Sequence, residues 1–308
     1  MRTFSILFLL SCIFLPRAHS QLDSTFVELF ERESRISSGL NFRNDVIRVS
    51  TANDEREFSF RNRGLSIPIG FRYRKLFGSY SIPVSDLGVT DNNASSSLGG
   101  SLRLYRDTYF INIQAQRIRG FLATRPGEPE NFRPDIKVFN LGLYGLHILD
   151  FKRFSLRAAF KQKNRQRKSR GSFLIGGILN RNVITADTLA LPLDDAPDLT
   201  IDRLQQYKIG IVGGYGYTWV FAPRWYLTPV VVVGPELRFV DYDVIGSNRT
   251  RERVRVSPRI RGRFAVGYNG DRWYYALTAA YLPSREVSES LTIRLAGTAV
   301  RLRVGRRF

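Results

Sequence analysis

Alternation with a period of two runs through nearly the whole chain, and it limits what the chain can become more than any other feature. In Leu65 to Arg74, Ile67, Ile69, Phe71 and Tyr73 share one face, while Ser66, Gly70, Arg72 and Arg74 share the other. In Thr108 to Ile118, Tyr109, Ile111, Ile113 and Ala115 oppose Asn112, Gln114 and Gln116. Phe154, Leu156, Ala158 and Phe160 oppose Arg153, Ser155, Arg157 and Lys161; Ile260, Phe264, Val266 and Tyr268 oppose Arg259, Arg261, Arg263 and Asn269. Successive strand side chains point to opposite faces, so each segment predicts a strand with one apolar and one strongly polar flank. Helices have almost no place in this pattern. No later segment reaches 18 uninterrupted apolar residues, which excludes helical membrane spans.

Two architectures alternate in this way. A soluble sandwich or barrel turns its polar flank to water, whereas a membrane barrel turns its apolar flank to lipid and its polar flank inward. Three features favour the second. The stretches Tyr207 to Phe221 and Arg224 to Val244 exceed the usual five or six residues of a globular strand and suit tilted spanning strands with extensions. Aromatic residues cluster near strand ends, at Tyr215, Tyr217, Trp219 and Phe221, at Trp225 and Tyr226, and at Trp273, Tyr274 and Tyr275, as interfacial girdles require. The last segment places Val300, Leu302, Val304 and Phe308 on one face, an amphipathic strand closed by an aromatic residue. Such a strand is what outer-membrane barrels present to the barrel-assembly machinery, which is therefore an expected partner.

The first twenty residues speak to compartment. Arg2, an uncharged stretch from Phe4 to Leu15 and Ala18-His19-Ser20 before Gln21 have the form of a secretory signal peptide over residues 1–20. Leu9-Leu10-Ser11-Cys12 also has the residue types of a lipoprotein signal, but it would leave a very short apolar core. The chain carries 47 Lys and Arg against 27 Asp and Glu, a formal charge of +20. Such a balance suggests nucleic acid, anionic lipid or an anionic solute as partner; export removes nucleic acid. With Cys12 as its one cysteine and His19 and His147 as its histidines, the chain has no disulfide framework and no zinc module.

Tight turns are expected at Lys75 to Gly78, Arg106-Asp107, Leu149 to Lys152, Ala222 to Arg224 and Asn269 to Arg272. Long polar connections are expected at Ser85 to Ser97, Gly120 to Pro134, Lys161 to Arg170, Arg181 to Leu204 and Ile245 to Arg253. The short-long rhythm falls out of step between residues 150 and 205, so either a strand is hidden there or one long connection is periplasmic. The reading is an all-β transmembrane antiparallel β-barrel of about twelve strands, ten to fourteen being allowed, over residues 39–308, after a periplasmic segment at 21–38. Near Gly297 the apolar positions change phase, from Leu291, Ile293 and Leu295 to Val300, Leu302 and Val304, which predicts a bulge or turn.

Phe132-Arg133-Pro134-Asp135, the run Lys152 to Phe160, and Gln166 to Leu174 followed by Gly176-Gly177 resemble the family called domain of unknown function 4421. The resemblance extends from about Gly39 to Phe308 and implies an exported outer-membrane barrel of Bacteroidetes-type bacteria. It implies no activity, cofactor or catalytic residue.

Candidate sites are therefore sets of cations. On a barrel, Arg72, Arg74, Arg103, Arg153, Arg157, Arg259, Arg261, Arg263, Arg301, Arg303 and Arg307 face inward, and such a lumen favours anions if it is open. Alternatively they pair with Asp86, Asp107, Asp135, Glu236, Asp241 and Asp243 and fill a closed interior. Barrels near eight strands are filled by side chains and wide channels come at sixteen or more, so partial plugging is expected at twelve. Lys161, Lys163, Arg165, Arg167, Lys168 and Arg170 put six cations in ten residues, suited either to lipopolysaccharide phosphates or to a solvated loop. The functional expectation is a small anion-permeable or solute-binding barrel. Its alternatives are a structural or lipopolysaccharide-engaging barrel and a lipid hydrolase using His147 as base, although no Gly-x-Ser-x-Gly elbow occurs. No metal site or cofactor is expected: Asp194, Asp195 and Asp198 lack calcium-loop spacing, and Gly213-Gly214-Tyr215-Gly216 lacks the lysine and helix of a phosphate loop.

Overall fold

A computed structural model describes residues 22–30, 34–51, 58–73, 76–84, 96–124, 129–187, 201–244, 250–287 and 291–308. The signal segment, Arg74, Asp86 and Asp194 to Asp198 lie outside these residues. The elements are β1 (Val27–Leu29), β2 (Arg35–Thr51), β3 (Phe58–Tyr73), β4 (Leu76–Val84), β5 (Ser96–Tyr105), β6 (Tyr109–Thr124), β7 (Asn131–Ile148), α1 (Leu156–Lys161), β8 (Asn164–Gln166), β9 (Arg170–Thr185), β10 (Ile201–Ala222), β11 (Trp225–Val244), β12 (Thr250–Asn269), β13 (Trp273–Val287) and β14 (Leu291–Arg307). Twelve long antiparallel strands form one sheet in the order β4-β3-β2-β14-β13-β12-β11-β10-β9-β7-β6-β5. The sheet closes where Ser59, Phe60 and Arg61 of β3 pair with Thr124, Ala123 and Leu122 of β6. Ten strands thus form the ring, while β4 pairs with β3 and β5 with β6 as two additional strands. β1 and β8 form a separate small ladder.

Alternation assigns the flanks as expected for lipid outside. On β10, Ile209, Ile211, Tyr215, Tyr217 and Trp219 are exposed, whereas Gln206, Lys208, Val212 and Thr218 are buried in the lumen. The exposed apolar side chains recur on every neighbouring strand, far beyond the patch a soluble surface carries. Apart from the outer stretch between β12 and β13, strand pairing satisfies the backbone groups of the ring, the condition for a strand-built wall in hydrocarbon. The protein is an outer-membrane β-barrel. At its short-turn end Phe221, Trp225, Tyr268 and Tyr275 form a chain of ring contacts 5.5 to 6.5 Å apart, an interfacial girdle. Tyr207 and Phe239, paired across β10 and β11, mark the outer edge of the apolar belt.

The structure corrects the reading in four places. The out-of-step segment is a connection from Leu149 to Ser169 at the short-turn end, and Phe154 to Phe160 is not a strand. Ser155 caps α1 by accepting from the Ala158 N–H at 3.2 Å, and Leu156, Ala159 and Phe160 bury one helical face. Over six residues the apolar set satisfies either period, so spacing alone did not separate them. Leu149 to Lys152 accordingly opens this connection instead of closing a hairpin. At Gly297 there is no bulge, since β14 pairs with β2 in unbroken register from Leu291↔Thr51 to Arg307↔Arg35. The change of phase instead tracks the solvent. At the outer end an inward apolar cluster forms from Ile47, Phe60, Ile118, Phe121, Ile136, Ile184 and Leu204, whereas at membrane depth the inward flank is polar. Finally, β2 begins at Arg35, four residues before the boundary placed at 39, and the strands run on into several connections expected to be loops.

Candidate functional site

The lumen is built from a floor, two polar walls and a lid. The floor is the connection between β7 and β9. Phe154, Leu156 and Phe160 pack into a core with Tyr105, Phe110, Tyr226, Val230 and Val232 from the surrounding strands. The C-terminus of α1, where carbonyls lack helical partners and the helix dipole is negative, is held by three arginines from the barrel ends. Arg35 donates to the Lys161 carbonyl at 2.9 Å, Arg303 to Gln162 Oε1 at 3.4 Å and Arg307 to the Gln162 carbonyl at 2.6 Å. Gln162, in the left-handed region at φ 50°, is fully buried and donates to the Ala159 carbonyl at 2.8 Å and to the Tyr226 hydroxyl at 2.9 Å. Arg157 pairs with Asp107 at 2.8 Å, and Arg165 with Glu28 at 3.1 Å and with Asp271. Hydrogen bonding from Arg165 holds the Asp271 carboxyl below the usual range. Burial pushes Lys163 down to about 8, with repulsion from Arg35, Arg72, Arg157 and Arg106 acting the same way.

Above this floor lies a cavity of about 200 Å³ with guanidinium groups around it, from Arg43, Arg103, Arg261, Arg263 and Arg301; among the described residues Asp45 is the one acid in its lining. Asp45 is taken up by Arg43 at 2.6 Å. Arg261 stacks 3.9 Å above the Tyr144 ring and Arg263 4.0 Å from the Phe160 ring of the plug, where the ring quadrupole holds the cation, and Arg263 also donates to the Tyr105 hydroxyl. Arg261 Nε and Arg263 Nη1 are buried and make no hydrogen bond. Arg103 donates to Asn112 at 3.1 Å and Arg301 to Asn41 at 3.3 Å, neutral partners that leave the charge uncompensated. The opposite wall is an amide ladder in which Asn112 donates to Gln114, Gln114 to Asn140 at 3.0 Å, and Asn140 to Asn182. Farther out, the fully buried Glu236 accepts from Arg238 at 2.7 Å and lies 3.7 Å from Arg259. The outer apolar cluster then forms the lid.

The inward arginines expected from the sequence therefore separate by role. Arg103, Arg261, Arg263 and Arg301 converge on the cavity, Arg259 joins Glu236, and Arg303 and Arg307 hold the plug. Arg157 and Arg153 belong to the connection itself, Arg153 lying 3.5 Å from Asp23. Arg72, on β3, pairs in register with Arg35 and Phe77 away from the cavity. Of the acids named for pairing with these arginines, Asp107 takes Arg157 and Glu236 lies near Arg259, whereas Asp135 pairs with Arg133, outside that set. The six cations between Lys161 and Arg170 are at the short-turn end, on the side away from the outer leaflet. There Arg170 pairs with Asp150 at 2.7 Å, and Lys161 and Lys168 lie over the Tyr105 and Phe26 rings at 5.4 and 5.5 Å, while Arg167 donates its backbone N–H to the Phe26 carbonyl at 2.8 Å. His147 is exposed on the outer flank of β7. Sequence reasoning missed Arg43, although Asn41, Arg43 and Asp45 alternate with Leu40 and Phe42. It also missed Arg238 and the amides Asn140 and Asn182, which carry no pattern beyond alternation.

The profile of the family described as "Domain of unknown function (DUF4421)" matches residues 21–308. No curated protein matches the sequence. Among solved structures, the chain is similar to the outer membrane protease OmpT from Escherichia coli, with 9% identity, a TM-score of 0.41 and coverage of 91% of this chain and 98% of that one. It is similar to the transport unit of the autotransporter AIDA-I from Escherichia coli, with 12% identity, a TM-score of 0.39 and coverage of 99% and 96%. It is also similar to the toluene transporter TodX of P. putida, with 8% identity, a TM-score of 0.27 and coverage of 89% and 90%.

Proposed function

The chain belongs to the family of domain of unknown function DUF4421, and from that premise we propose that it is a solute-binding barrel, non-enzymatic, whose occluded lumen holds a small multivalent anion. The observation that carries this reading is the cavity of about 200 Å³ with five guanidinium groups and one already paired carboxylate in its lining. Charge-assisted bonds from guanidinium forks to phosphate or carboxylate are the strong ones. An anion here meets charge that no carboxylate compensates, Arg103 and Arg301 being bonded to the neutral Asn112 and Asn41. Floor and lid favour a chamber over an open pore. The position of the 161–170 cations favours an internal, structural use over lipopolysaccharide engagement, and His147 on the outer flank favours an interfacial role over catalysis. Phe308, exposed at the foot of the barrel with its N–H on the Ser34 carbonyl at 3.1 Å, is where assembly machinery would find the last strand.

The test is a calorimetric titration of the detergent-solubilised barrel with pyrophosphate. Each charge-assisted hydrogen bond is worth about 1.5–3 kcal/mol, so Arg261→Gln/Arg263→Gln is expected to weaken binding at least tenfold, with the wild-type affinity falling as salt rises. Equal binding by both proteins overturns the reading.

A further inference from the structure

Beside the cavity the ring is unzipped between β12 and β13; among the described residues the outer edges of β4 and β5, the two ends of the sheet, carry no ladder either. β12 and β13 pair from Asn269↔Tyr274 up to Gly262↔Tyr281 and no farther, although β12 continues along β11 to Thr250 and β13 along β14 to Val287. Residues 256–261 and 282–287 therefore face each other as two strand edges without a ladder between them.

Two prolines explain the break. Pro258 stands directly opposite Pro235 of β11. Opposed residues in an antiparallel pair either exchange both hydrogen bonds or neither. Two prolines can only form the second kind, so the Pro258 nitrogen turns toward β13. Bonding direction alternates along a strand, so Ile260 also bonds toward β13, and in continued register its partner would be Pro283. Two successive bonding pairs, Ile260 with Pro283 and Pro258 with Arg285, thus each lack a donor.

The gap opens into hydrocarbon. Phe239, at the outer edge of the belt, pairs with Val254, so the edge from Val254 to Arg261 spans the outer half of the belt. Its outward side chains are apolar and exposed, Val256 at 70% and Ile260 at 50%. On the inner side, Arg261 and Leu282, the first residues beyond the last pair on either edge, both line the arginine cavity. Unpaired backbone groups are costly in lipid and are tolerated where they line a polar cavity.

We propose that this seam is the binding cleft of an amphiphile with a phosphate head: the head lies among Arg261, Arg263 and Arg301, and the tail passes between β12 and β13 into the outer half of the membrane. The inference rests on the anion-chamber reading and adds the tail. Access from the apolar belt, with a plug below and an apolar lid above, distinguishes it from capture of a soluble phosphate.

The test compares dodecyl phosphate with pyrophosphate on the protein in phosphatidylcholine nanodiscs, empty discs being subtracted. Ile260→Cys/Pro283→Cys closes the seam by a disulfide. Pro258→Val/Pro283→Val restores both donors without one. Expected are tighter binding of dodecyl phosphate than of pyrophosphate by the wild type, and at least tenfold loss of dodecyl phosphate on closure, reversed by reductant in the cysteine variant. Retained pyrophosphate binding, within twofold, shows that the closed variants are folded. Undiminished dodecyl phosphate binding after closure overturns the proposal, as does equal loss of both probes on closure. Failure of the open wild type to bind either probe overturns the chamber reading itself.

Discussion

Arg307, the last residue of β14, donates to the Gln162 carbonyl at 2.6 Å and to Asn269 Oδ1 at 2.7 Å, fastening the end of the barrel to a plug 145 residues earlier. Its guanidinium also lies 3.7 Å from the Phe30 ring and 4.6 Å from the Tyr274 ring. Removing it leaves three buried acceptors unsatisfied, the Gly270 carbonyl being the third, at about 1–3 kcal/mol each. Arg307→Ala is therefore expected to lower the urea midpoint of the vesicle-folded protein.

The plug also depends on a missing side chain in the wall. A Cβ on Gly216 would lie 2.9 Å from Phe154 Cζ and 3.2 Å from Val230 Cγ2, and Phe154 is fully buried. Gly216→Val is expected to displace the ring and destabilise the fold by about 1–3 kcal/mol through overpacking. The added Phe154→Ala substitution should recover part of that loss, read from the same urea midpoints.

At the outer side of the chamber, Glu236 accepts from Arg238 at 2.7 Å in full burial. Removing one partner of a buried pair costs about 3–5 kcal/mol because a charge stays behind. Glu236→Leu should show this in urea unfolding, with a smaller loss for Glu236→Gln, which keeps an acceptor.

Lys163 gives the plug a pH dependence. Its folded value of about 8 lies below the free value of 10.5, so between these values the unfolded chain binds the extra proton. Stability then rises as pH rises through that window, and the penalty is fully present below pH 8. The urea midpoint is expected to increase between pH 7.5 and 10, and Lys163→Met should flatten that increase.

Strand alternation made most of this architecture legible in the chain itself. Residues such as Ile209, Ile211 and Tyr215 have to face outward once their neighbours are Lys208, Gly210 and Gly214, and one inside-outside assignment then places every arginine of β12 and β14. The plug was illegible because Phe154 to Phe160 fits either period and because its long-range partners, Arg35 and Arg307, carry no local signal. The phase change at Gly297 was visible but ambiguous. Alternation records which flank is apolar, not whether lipid or water lies outside, and only pairing with Ile47 shows that the strand has left the membrane. The seam was equally hidden: Pro258 and Pro283 are visible in the sequence, but the edges they face are set by register.

The chamber itself is tested most directly by diffraction from crystals of the solubilised protein grown in bromide, using anomalous scattering to locate bound anions. The account predicts a bromide peak in the lumen within hydrogen-bond reach of Arg261 and Arg263, lost in Arg261→Gln/Arg263→Gln crystals. Bromide confined to the exterior, with a lumen free of anomalous signal, contradicts it.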